Sequence, residues 1–231
     1  MNDHPYSFGR TGAVSTVETR NRVLRNTYWL LALSMIPTVL GAWVGLATGF
    51  SLFAATSPAM SMLAFFAIAF GFMFAIEKTK ESAAGVFVLL GFTFFMGLML
   101  SRILGFVLGF SNGPSLIMLA FGGTGVIFAS MATIATVSKR DFSGLGKWLF
   151  MGVIVLLASV ANVFLHLPAL MLTVSVMAIV IFSAYMLFDV QRVVNGGETN
   201  YITAALAIYL DLYNVFVNLL ALLGIFGGNR N

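Results

Sequence analysis

The chain has 231 residues, of which 60% are hydrophobic and only 9% charged, with a mean hydropathy of +0.99. A soluble domain carries about 25% charged residues, so this chain cannot cover itself in water and reads as a single-domain, all-α integral membrane protein. The net charge of +4 does not point to nucleic acid, because the basic residues lie mostly between apolar segments, and the absence of cysteine excludes disulfides, thiolate metal sites and cysteine catalysis.

Residues 1–26 form a polar tail with Pro5, Gly9, Gly12 and the arginines Arg10, Arg20, Arg22 and Arg25, disordered or partly helical after Val17. Residues 27–231 form the membrane domain. The first apolar run is long enough to span, so it reads as a span and not as a cleavable signal peptide. Seven spans are predicted: Tyr28 to about Thr48, Ser57 to Ile76, Ala83 to Phe106, Pro114 to Val137, Leu145 to Leu165, Pro168 to Phe188 and Tyr201 to Phe226. Each is near the ~20 residues that cross a bilayer as a helix. Strands of a barrel would alternate in polarity and be about half as long.

Seven spans put the termini on opposite sides, and the charges choose which. With the N-terminus in the cytoplasm, Arg10, Arg20, Arg22, Arg25, Lys78, Lys80, Lys139, Arg140, Lys147 and Arg192 all lie inside. Arg230 alone lies outside, and Arg102 sits within the third span, about four residues from its outer end. Arg102 reads as a side chain snorkelling to the outer headgroups, or as a group at the mouth of an outer cavity. The glycines of Gly41-xxx-Gly45-xxx-Gly49 and Gly122-Gly-Thr-Gly125 are expected to let helices approach closely or kink.

Enzyme readings find little support. Gly109-Phe-Ser111-Asn-Gly113 matches G-x-S-x-G, but a nucleophile elbow needs a strand before it and a helix after it. Here the motif follows a span, and Ser-Asn-Gly-Pro is turn composition. His166 reads as an interfacial loop residue and His4 as part of the tail. No metalloprotease, phosphate-loop or dinucleotide pattern occurs. No catalytic residue and no cofactor is therefore expected.

The polar residues concentrate in one stretch. Asp189 ends the sixth span, at the inner surface. Asp211 lies about 10 residues into the seventh, ~15 Å below that surface at the helical rise. Asp211, Asn214 and Asn218 fall at i, i+3 and i+7, on one helical face. A charge at membrane depth is costly and marks a functional site by default. Two nearby carboxylates in a low dielectric cannot both ionise cheaply, so such a pair titrates as a unit.

Leu187-Phe188-Asp189-Val190-Gln191 followed by Tyr209-Leu-Asp211-Leu-Tyr-Asn214-Val-Phe-Val-Asn218 resembles the end of the Bax inhibitor-1 (transmembrane Bax inhibitor motif) family. Val23-Leu-Arg-Asn-Thr-Tyr28, Ala161-Asn-Val-Phe-Leu-His-Leu-Pro-Ala169 and Gly196-Gly-Glu-Thr-Asn-Tyr-Ile202 are similar to its bacterial YccA-like subgroup. The resemblance covers about Arg22 to Phe226. It implies a seven-helix fold of the bacterial inner membrane, with the last helix central and the other six around it.

It also implies a mechanism. In pH-sensitive calcium-leak members, two aspartates on the last two helices share a proton and gate a path, and Asp189 and Asp211 match those positions. Asn214 and Asn218 would line the path. Ca2+ would bind the aspartates weakly and transiently, since these residues supply only some of the oxygens it needs. In such members a basic residue, typically an arginine near the inner end of the second helix, latches to the aspartates. Here only Lys78 and Lys80 are available, as substitutes that lack the bidentate fork of arginine. The YccA-like resemblance implies a second role, as modulator and slow substrate of the membrane-anchored ATP-dependent protease FtsH, with the tail as its handle. The expected surroundings are thus the lipid bilayer, cations and that protease.

Overall fold

The computed structural model describes residues 10–50, 57–148 and 150–229. Seven α-helices follow one another: α1 (Arg10–Thr48), α2 (Pro58–Thr79), α3 (Ala83–Leu108), α4 (Gly113–Val137), α5 (Phe150–Leu165), α6 (Pro168–Val194) and α7 (Tyr201–Gly227). A short 3-10 helix, Ser143–Trp148, precedes α5. All seven are long and apolar enough to cross a membrane, counting the 3-10 turn with α5.

The ends of these helices follow from ordinary chemistry. Pro58, Pro114 and Pro168 stand in first turns, where a missing N–H costs nothing. The Ser57 hydroxyl caps α2 by accepting from Met60 N. Asn200 caps α7, its Oδ1 accepting from Ile202 N at 2.9 Å and Thr203 N at 3.2 Å. The same residue donates through Nδ2 to Lys80 O and Glu81 Oε1, which ties the start of α7 to the α2–α3 turn.

The largest packing surface joins α1 to α3. Gly41, Gly45 and Gly97 make it possible. A Cβ on Gly41 would strike Phe94 O, one on Gly45 the Ser101 side chain, and one on Gly97 Thr38 O. The expected close approach is therefore met at Gly41 and Gly45. At Gly122 and Gly125 it is not, because a Cβ there would meet open space. Gly49 closes α1 with a positive φ of 62°. α7 packs against α1, α2, α3, α4 and α6, whereas α5 rests mainly on α6 and the 3-10 helix.

One apolar cluster, built around Tyr209, Phe92, Leu89, Ile76 and Ile202, fills the end that carries Lys78, Arg140 and Arg192. A second, of Val107, Phe110, Leu116, Ala120 and Leu220, fills the opposite end. Large apolar side chains such as Phe87, Met118 and Phe226 point outward, as a lipid-facing surface requires.

Three boundaries differ from the sequence reading. α1 is helical from Arg10, well before Tyr28; Val23 is buried against the end of α6 and the start of α7, and Thr27 is buried as well. The division at residues 26 and 27 thus falls inside a continuous helix. Residues 1–9, including His4, lie outside the described residues, as do residues 51–56 and Arg230. α6 runs six residues past Phe188, because Val190, Gln191 and Val193 are buried there. The fifth span opens as a 3-10 turn containing Gly144 and Gly146, residues that disfavour an α-helix.

Candidate functional site

Asp189 on α6 and Asp211 on α7 come together between the two helices, their carboxyls within hydrogen-bonding reach of each other. Asp211 is 4% exposed and Asp189 is half-buried. Ile208 and Val215, about one turn to either side of Asp211, are fully buried, so water does not reach it along its own helix. Asp211 Oδ2 is buried and receives no hydrogen bond among the described residues. An ionised carboxylate only accepts, so the space between these two groups holds a donor only when one of them carries a proton.

Side chains on either side of Asp189 fix α6 to its neighbours. Tyr185, one turn before Asp189, accepts a hydrogen bond from Gly152 N at 3.0 Å, and the missing Cβ of Gly152 leaves room for its ring. This contact fastens the first turn of α5 to α6. Gln191, 4% exposed, accepts from Phe142 N and donates to Arg140 O, both at 2.7 Å. It locks the end of α6 to the α4–α5 connection. That connection is itself shaped by Asp141, which accepts from Ser143 N and Oγ. These bonds, the backbone one first, hold the Asp141 carboxyl below the usual range. At the mouth, Arg192 pairs with Glu198 at 3.6 Å.

Toward the other end, Asn214 and Asn218 continue the polar face of α7. Both amides donate back to their own helix, Asn214 Nδ2 to Leu210 O and Asn218 Nδ2 to Asn214 O, each at 2.8 Å. Both line an open cavity of about 760 Å3 bordered by α5, α6 and α7. Asn214, its residue nearest the pair, is three positions from Asp211, about 4.5 Å along the axis. The aspartates and asparagines therefore form one polar line from the Arg192 end to this cavity.

The structure gives the two lysines other partners. Lys80 Nζ binds Glu77 at 2.5 Å, and Lys78 Nζ lies 5.5 Å from the Phe74 ring centre. Arg102 is exposed on α3, and its neighbour Ile103 forms part of the cavity wall. Ser111 of the G-x-S-x-G match is structural. Its N–H and Oγ both donate to Asn229 O, while Asn112 donates to Gly227 O and accepts from Asn229 N. This loop caps Gly227 O, the last carbonyl of α7, and ties down the residues just after the helix.

Gln191 and Asn200 escaped the sequence reading. Asn200 carries a readable signal, an asparagine directly before a long apolar helix. Gln191 carries none, since its value lies in a loop some fifty residues earlier in the chain.

Comparison with known proteins gives the family. The family model described as inhibitor of apoptosis-promoting Bax1 matches residues 20–228. The chain belongs to the Bax1-inhibitor family. The match spans all seven helices and includes Lys78, Lys80, Arg102, Asp189, Asp211, Asn214 and Asn218; the start of α1 precedes it. Among its relatives is the Escherichia coli K12 protein named modulator of FtsH protease YccA, 38% identical over 94% of each chain. An uncharacterized membrane protein of Vibrio cholerae is 35% identical over 96% of this chain and 97% of its own. A Helicobacter pylori protein is 32% identical over 88% and 86%. Membership in the Bax1-inhibitor family and the YccA likeness agree with the resemblance read from the sequence.

Proposed function

We propose that this chain is a pH-sensitive cation leak of the bacterial inner membrane, with Ca2+ as its substrate and with Asp189 and Asp211 sharing the proton that sets its state. Its N-terminus and basic loops face the cytoplasm, and α7 is the axis around which the other helices are arranged. The observation that carries this reading is the contact of two carboxyls on adjacent helices, one of them buried without a donor. With one proton between them, the pair draws α6 and α7 together. Without it, two like charges repel in a low dielectric, and helix movement or an arriving cation relieves the repulsion. Ca2+ takes oxygen ligands, typically six to eight. Asp189, Asp211, Asn214 and Asn218 supply a few of these, enough for passage and too few for tight capture. Lys78 or Lys80 would reach the pair only by leaving Glu77 or Phe74. Arg102 would stand at the outer mouth.

The test is reconstitution into liposomes loaded with a calcium dye, across a pH series. Flux that changes with pH in the wild type, and loses that dependence in Asp189→Asn and Asp211→Asn, supports the reading. Wild-type pH profiles in both variants would sink it.

A second reading rests on the relative named as a modulator of the FtsH protease. In it, this chain engages the same protease and is cut slowly. The helical start of α1, exposed from Glu18 to Arg22, is the accessible handle. Co-purification with the protease, lost on removal of residues 2–20, would support it. Neither reading gives this chain bond-making chemistry of its own.

A further inference from the structure

α1 and α4 each pack on α7, and far less on each other. Between them runs a second cavity, of about 380 Å3, within the usual range of ligand pockets, roughly 300–1,000 Å3. It extends along α4 from Ile117 to Phe128, eleven positions apart and thus about 16 Å, and along α7 from Tyr209 to Phe216, about 10 Å. Leu100 and Leu104 of α3 complete its floor. At one end Phe128 meets the Tyr28 ring edge-on, centroids 6.1 Å apart, which bridges α1 and α4 there. The cavity is therefore a slot parallel to the helices. The α7 residues in it, Tyr209, Leu212, Tyr213 and Phe216, lie on the face turned away from Asp211, Asn214 and Asn218.

The lining has nothing to offer a polar guest. No Lys, Arg, His, Asp or Glu lines it among the described residues. Its hydroxyls are already engaged. Thr38 Oγ1 donates to Ser34 O and lies 2.9 Å from the Tyr209 hydroxyl. Thr124 Oγ1 donates to Ala120 O, and the Tyr213 hydroxyl donates to Met96 O. An ordered water needs two to four polar partners, so the slot is not built for water.

Its rims run on into the outer apolar surface, where Val39 of α1 is 65% exposed and Phe121 of α4 is 67% exposed. That surface faces lipid, so the slot is continuous with the bilayer and fills from it. Left unfilled, it would deprive its lining of dispersion contacts on one side. A helix of a second copy is the other apolar occupant a membrane offers. A helix about 10 Å across takes up roughly 800 Å3 over about 10 Å of its length, twice what the slot holds. A hydrocarbon chain is long and thin enough.

We propose that this slot holds one acyl chain of a membrane lipid, lying between α1 and α4 against Leu212, Tyr213 and Phe216. The site is on the back of α7 relative to the aspartates and does not depend on ion leak or protease binding.

The test places the full chain in liposomes of a phosphatidylcholine that carries a photoactivatable diazirine midway along one chain, with adducts mapped by mass spectrometry. The expected result is adducts on Leu212, Tyr213 or Phe216, partly buried residues of α7, besides those on outward residues such as Phe87. A Cβ on Gly125 meets nothing within 4 Å, so Gly125→Phe adds a ring to the slot without displacing backbone. At an unchanged melting temperature it should lose the α7 adducts and keep those on Phe87. Val39→Trp, at the rim, should do the same. Absence of α7 adducts in the wild type would overturn the proposal whatever the variants do, and so would their persistence in both folded variants. Cross-links between two chains through Phe121, in place of lipid adducts on α7, would overturn it in favour of a second copy.

Discussion

On the proposed reading Asp189 and Asp211 act as one unit, so their substitutions should not add. Asp211→Asn removes one of the two like charges while keeping shape and some hydrogen bonding, so the fold should survive. The pH dependence of any flux should flatten or shift, Asp189→Asn should act alike, and the double variant should change little further in the same liposome assay. Asn214→Ala should alter the size of the flux more than its pH midpoint. Gln191 bears on stability instead. Gln191→Ala would strand Arg140 O and Phe142 N in a partly buried place and should cost about 2 kcal/mol, read as a lower melting temperature in detergent. Asp141 supplies a pH effect of known sign. Its carboxyl is held below the usual range, so the stability it contributes is present above the ordinary aspartate range. That contribution is lost as pH falls through the lower, folded value. Asp141→Asn should flatten this acid-side loss in melting curves taken from neutral to acid pH.

The helices themselves were legible wherever apolar length decides them, which is why every span was found. Their ends were less so. α6 continues past Asp189 because the contacts that bury Val190 and Val193 come from other parts of the chain, and no local pattern announces them. The polar face of α7 was visible from spacing alone, and the Asp189 partnership through family resemblance. The cavity beside it was not visible, because it depends on how α5 leans on α6. Glycines show the same limit, since a glycine-rich stretch of a helix means contact at Gly41 and open space at Gly122. Gly97→Ala should therefore overpack the α1–α3 crossing and cost about 1–3 kcal/mol. Gly122→Ala should instead raise helix stability by roughly 0.5–1 kcal/mol. Thermal melts of the two variants side by side would separate these outcomes, and equal destabilisation would contradict the packing described.

At the scale of the whole molecule, the charge distribution and the continuous α1 make separate predictions. Reporter fusions at Lys78, Arg140 and Arg192 should report a cytoplasmic location, and a fusion at Asn231 the opposite side. A cytoplasmic Asn231 would mean that one of the seven helices does not cross. Removing residues 2–20 should leave the melting temperature unchanged, since the side chains described just before Val23 are exposed. Val23→Asp should lower it, because that position is buried against Val193 and Ala204. A deletion as damaging as Val23→Asp would make the start of α1 part of the fold.

The grip of the Ser111–Asn112 turn on Gly227 and Asn229 has a consequence for how the chain is made. The ribosome delivers α7 after the other six helices, into a place whose walls come from five of them, and its far end clicks home only against a turn synthesised more than a hundred residues before. Until then the sixth helix sits in the bilayer with its acidic residue unmatched. A nascent chain stalled before Tyr201 should be short-lived in cells, and supplying α7 as a separate polypeptide should rescue it.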